Sequence, residues 1–169
     1  MEGIENIDLE DIQNVLRMGF KVKLIGKSIL KNGKLLEFVY PALIPKNNYL
    51  ANINGVLNAV ILSGFPVGQS VYQGEGAGPE PTVSSIISDL CSVLRGNIKY
   101  PFGVSSKLRK ITKSSNYNNY RTSAYIKIDV IDKYGVLSSI TNSLAKNKIS
   151  IKRVIQNPNK KSKTATIII

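Results

Sequence analysis

Two apolar-rich runs, FKVKLIGKSIL and LLEFVYPALI, stand on either side of KNGK, and that arrangement leaves little choice for residues 20–44. An Asn-Gly pair accepts positive φ at both central positions of a tight turn, so the flanking runs predict an antiparallel β-hairpin. Pro41 demotes the end of the second run to an edge or an exit, because proline cannot donate to a ladder. A hairpin this long needs cover. Just upstream, LEDIQNVLRM has helical spacing, with Asp8 and Asp11 placed as cap and first-turn acid and Gly19 as the stop.

Downstream, PKNNYLANING is turn chemistry with at most a little local helix, VLNAVILSG is apolar enough for a buried strand, and VGQSVYQG alternates as its neighbour. Then comes QGEGAGPEPT, with glycines at 74, 76 and 78, leading into a helix, PTVSSIISDLCSVLRG, that has Pro81 near its first turn and Gly96 as its stop. Glycines let a ligand or another backbone come close, and a helix N-terminus offers N–H groups. Glu75 and Glu80 flank the loop, and its GxGxG spacing departs from the GxGxxG dinucleotide fingerprint, so it is not a pyrophosphate cradle. From the residues alone, a plain turn and a ligand contact both remain open. Cys91, inside the apolar helical pattern, reads as a buried structural thiol.

Charge divides the chain. Residues 1–96 carry 8 Lys+Arg against 9 Asp+Glu, and residues 97–169 carry 15 against 2. Such asymmetry marks two units with different work. Residues 97–119, rich in Lys, Ser and Asn without a steady period, read as a basic linker. Beyond it, YRTSAYIKIDVID predicts a strand, GVLSSITNSLAKN a helix, KISIKRVIQN a strand, NPNKKSK a turn and TATIII a third strand. This β-α-β-β order lacks a helix and a strand of a ferredoxin-like unit, and truncation is the simplest explanation. TATIII would then be an unprotected strand prone to aggregation. A basic sheet could also bind RNA, but TATIII has no aromatic of the kind an RNA-binding third strand uses, so nucleic acid is not an expected partner.

The chain has no histidine and one cysteine, which removes Ser-His and Cys-His nucleophile pairs and leaves no metal site to expect. No apolar run is long enough to span a bilayer, and the acidic N-terminus does not read as a signal peptide, so a cytoplasmic protein is expected.

The segments EGIENIDLEDI, MGFKVKLIG, YPALIPKNNYLANINGVLNAV and GQSVYQGEGAGPEPTVSSIISDL, taken in order over residues 2–96, resemble the C-terminal part of the catalytic domain of homoserine dehydrogenase. The tail DVIDKYGVLSSITNSLAKNKISIKRVIQ is similar to an ACT domain, the regulatory module that follows that part in bacterial members of the family. The resemblance implies NAD- or NADP-dependent interconversion of aspartate 4-semialdehyde and homoserine, on the route to threonine, isoleucine and methionine. It implies that Gly78 lies against the nicotinamide end of the cofactor, with Gly76 and Ala77 shaping the same approach. It also implies a homo-oligomer built through the catalytic-domain sheet. The Rossmann half and the proton-donating lysine of the family precede the matched part, so catalytic residues are expected upstream of Met1 and the chain is expected to be inactive alone. Lys23 and Lys27 read as a solvated strand face. In the ACT-like tail the effector would meet Asp132, Gly135, Val136 and Leu137, with threonine the effector that the family suggests. On the residues themselves, Asp132 and Gly135 could equally cap and turn the helix.

The expected architecture is therefore α+β: residues 1–96 a mixed sheet with flanking helices, residues 97–119 a linker, and residues 120–169 an incomplete ferredoxin-like ACT domain. The alternative is a threonine-binding regulatory protein that kept the sheet as a dimerisation platform.

Overall fold

The structure is a computed structural model that describes residues 3–97, 100, 102–116, 120–159 and 162–169. The chain divides into two compact units, residues 1–117 and 118–169.

In the first unit, α1 (Leu9–Arg17) opens with the reciprocal cap that the sequence signals. The Asp11 amide donates to Asp8 Oδ1 at 2.7 Å and the Asp8 amide to Asp11 Oδ2 at 3.3 Å, satisfying two otherwise orphaned donors. Its buried face is Asp11, Asn14 and Val15, continued by Met18 at the cap, which is the spacing of one helical stripe. Gly19, at φ 85°, stops the helix, and its carbonyl accepts from the Lys46 amide at 3.0 Å.

The hairpin forms as predicted from β1 (Phe20–Lys31) and β2 (Lys34–Pro45), in register from Phe20 opposite Pro45 to Lys31 opposite Lys34. Asn32 and Gly33 take φ 51° and 68°, the two positive values that a type I′ turn requires. Pro41 does not end β2, which runs on to Pro45. It is tolerated because β1 is the partner of β2 there, the second neighbour reaching only Lys34 and Leu35. That neighbour is β5 (Lys113–Ser114), parallel to β2, and it makes the sheet mixed. The segment read as a linker is thus partly structured, with a 3-10 turn at Ser106–Leu108 and this short strand; its residues 98, 99, 101 and 117–119 lie outside the described set.

A 3-10 turn, Tyr49–Asn52, capped by the Asn48 side chain, carries the chain to a second hairpin. This pairs β3 (Leu57–Gly64) with β4 (Gly68–Glu75), from Leu57 opposite Glu75 to Gly64 opposite Gly68. Helix α2 (Pro79–Leu94) follows, starting two residues earlier than the sequence pattern suggests, and none of its residues is buried. Cys91 is accordingly half-buried rather than a core thiol. The apolar face that would enclose it, Ile86, Ile87, Leu90 and Val93, is itself 51–60% exposed.

In the second unit, β6 (Lys127–Ile131), α3 (Val136–Lys146), β7 (Ile155–Asn159) and β8 (Thr164–Ile168) follow the expected β-α-β-β order. The sheet order is β6-β8-β7, all antiparallel. The expectation of an unprotected TATIII is overturned: β8 is paired on both sides, and Ala165, Ile167 and Ile168 are at most 1% exposed. Strand β7 begins well inside KISIKRVIQN and runs through Pro158 into the predicted turn, because an edge strand can hold a proline. Residues 160 and 161 of that turn lie outside the described set.

Candidate functional site

The glycine loop is built by the end of β4 and the start of α2. The Gly76 amide donates to the Val56 carbonyl at 2.9 Å, one step beyond the last ladder pair, so the loop is held to β3 at its entry. Gly78 then caps α2 at φ 118°, ψ 154°, a backbone region essentially restricted to glycine. Its carbonyl accepts from the Thr82 amide at 3.3 Å and from Thr82 Oγ1 at 2.7 Å.

This helix start makes a poor anion cradle. Pro79 and Pro81 occupy the first and third helical positions, where each removes a backbone N–H, and the remaining residue of the turn is the acidic Glu80. The expectation that the helix offers a set of free donors is therefore corrected. The geometry suits close approach of an uncharged group to backbone, with Gly76, Ala77 and Gly78 contiguous at the turn.

Sequence reasoning missed two side chains here. Lys23 is not a solvated strand residue: its Nζ donates to the Ile53 carbonyl and, at 3.0 Å, to Asn54 Oδ1, which pins the turn before β3 to β1. Asn58, on β3 opposite Gly74, lays its side chain against Gly76. A Cβ added at Gly76 would stand 1.5 Å from Asn58 Nδ2. The signal available was the pairing itself, since counting back through the β3/β4 hairpin puts Asn58 beside two glycines.

In the second unit, the four residues predicted for an effector come together. Asp132, Gly135, Val136 and Leu137 line an open cleft of about 450 Å³ between the end of β6 and the start of α3, shared with Gln156 and Ile167. Gly135 caps α3 at φ 86°, ψ −11°, with no side chain capping the helix. The Asp132 amide is tied to the Lys163 carbonyl at 2.9 Å, which fixes the loop to the residue before β8.

The class that the fold defines is an α+β protein: a unit with a mixed sheet and a glycine turn feeding a helix, and a second unit with a small antiparallel sheet. The homoserine dehydrogenase family model matches residues 1–91, and the chain belongs to the homoserine dehydrogenase family. The homoserine dehydrogenase of Helicobacter pylori is 33% identical over 157 residues, 92% of this chain and 37% of that protein. That of Neisseria gonorrhoeae is 32% identical over 100% of this chain and 40% of its own length. Among solved structures, a homoserine dehydrogenase from Thiobacillus denitrificans superposes with a TM-score of 0.80 at 31% identity, covering 98% of this chain and 38% of that one. The chain thus spans about two fifths of the relatives it matches, and the likeness extends through its second unit.

Proposed function

We propose that these residues form the cofactor-facing and subunit-joining back of a homoserine dehydrogenase, which interconverts aspartate 4-semialdehyde and homoserine with NAD or NADP in the cytoplasm. Within that reading Gly76, Ala77 and Gly78 meet the nicotinamide end of the cofactor through backbone. The observation that carries it is the turn at Gly78: glycine-only backbone, followed by a helix start with two donors removed by proline, fits a neutral ring edge and not a phosphate. Hydride transfer then needs the part of the relatives that these residues do not span, because a nicotinamide cofactor is held chiefly by its own dinucleotide-binding fold. The test is an assay of homoserine-dependent NADP or NAD reduction. The chain alone is expected to turn over nothing, and the same residues joined to, or mixed with, a dinucleotide-binding half are expected to be active. Turnover by the chain alone, or none in either form, overturns the reading.

A regulatory role for the second unit rests on the cleft at Asp132, Gly135, Val136 and Leu137. We read this unit as an incomplete ACT domain whose uncapped α3 start takes the carboxylate of an amino-acid effector, threonine first among candidates. Titration of the chain with threonine, followed by amide chemical shifts, is expected to move Gly135 to Leu137; shifts elsewhere only, or none at millimolar threonine, reject it.

A further inference from the structure

Gly76 and Gly78 differ in one respect that the family likeness does not explain. Gly78 needs its positive φ, whereas Gly76 does not adopt one; a Cβ at Gly76 would instead meet the Asn58 amide, with Nδ2 at 1.5 Å and Cγ at 2.7 Å, and displace it from where it lies. On the β3/β4 hairpin Asn58 sits directly opposite Gly74 and diagonally across from Gly76, so these three share one face, and two of them have no side chain. A Cβ at Gly74 would meet nothing within 4 Å. The Asn58 carboxamide is thus laid on a bare patch of strand, exposed, with no hydrogen-bond partner among the described residues. A side-chain amide carries a donor pair and an acceptor in one plane, and here its nitrogen lies in the space that a Cβ at Gly76 would take.

We propose that Asn58 is a positioning residue for the ligand at the glycine loop, and that Gly76 is glycine in order to admit the Asn58 amide beside it. The inference rests on the cofactor reading of Gly76, Ala77 and Gly78 given above. The ligand group it fits is a carboxamide, which matches an asparagine amide donor to acceptor and acceptor to donor; on the cofactor this is the nicotinamide amide. Paired in this way, Asn58 would hold that amide by both its donor and its acceptor.

The experiment uses the active assembly, the polypeptide or complex that oxidises homoserine, with NADP or NAD as it requires, and with the corresponding 3-acetylpyridine analogue, whose methyl ketone lacks the amide donor. Asn58→Ala is expected to raise the Kd of the reduced natural cofactor, read from its fluorescence on binding, and to lower kcat/KM, each about tenfold, the scale of a lost hydrogen-bond pair. With the analogue the same substitution is expected to cost less, about threefold, since the ketone oxygen still accepts from Asn58 Nδ2 while the donor that meets the Asn58 oxygen is already gone. Gly76→Ala, which pushes the amide aside while leaving an allowed backbone, is expected to reproduce the loss, and the double variant to be no worse than either single one. Equal losses with both cofactors, or additive losses in the double variant, overturn the proposal. Gly78→Ala separates it from the reading beneath it. If Gly78→Ala raises the KM for cofactor while Asn58→Ala does not discriminate the analogue, only the role of Asn58 falls; if Gly78→Ala leaves cofactor kinetics unchanged, the cofactor reading falls with it.

Discussion

Asp8 and Asp11 show how much a single residue can specify. Each carboxylate accepts from the other's backbone amide, and the pair sets where α1 begins and so which stripe faces the sheet. Asp8→Ala is expected to lower the stability of the first unit by about 1 kcal/mol, seen as a lower urea midpoint with an unchanged slope. No change in midpoint would mean that the tertiary contacts of α1 hold it without the cap. This cap was legible in the sequence because the signal is local, two acids three apart before a periodic run. The contact at Gly76 was not, because the side chain that a Cβ there would displace belongs to Asn58, on another strand. Lys23 was misjudged for the same reason: the oxygens it donates to belong to Ile53 and Asn54, in a turn that alternation along β1 says nothing about.

At the scale of elements, the long hairpin was legible because Asn32-Gly33 dictates both turn type and register. Strand β7 was the least legible, since the alternation of KISIKRVIQN continues upstream of the residues that pair with β8. Pairing is a property of two segments, and periodicity reports only one. Strand β8 shows the same limit from the other side, for TATIII reads as an open edge until its two neighbours are known. Its burial gives a sharp expectation: Ile167→Ala removes most of a side chain only 1% exposed and should cost about 2–5 kcal/mol. In a unit this small that is enough to abolish its cooperative thermal transition. Retention of the transition within a few degrees would show that the β6-β8-β7 sheet is not the stabilising core of the unit.

At the scale of the whole molecule, apolar side chains stand uncovered on α2 and, on the second hairpin, at Val60, Leu62 and Tyr72, which are 56–61% exposed. No helix among the described residues is long and apolar enough to cross a membrane. The chain is expected to self-associate at tens of micromolar in sedimentation, and Val60→Glu with Ile87→Glu to return it to monomer while changing the stability of the unit by less than about 0.5 kcal/mol per site. A monomeric parent chain would show that these faces await a different segment of polypeptide. The strand order of the second unit also sets a timetable. Strands β6 and β7 touch β8 and not each other, and Lys127 must wait for Ile168 to find its partner. During synthesis from the N-terminus, neither pairing described here can close until β8 has left the ribosome, so β6 and β7 emerge with their edges open.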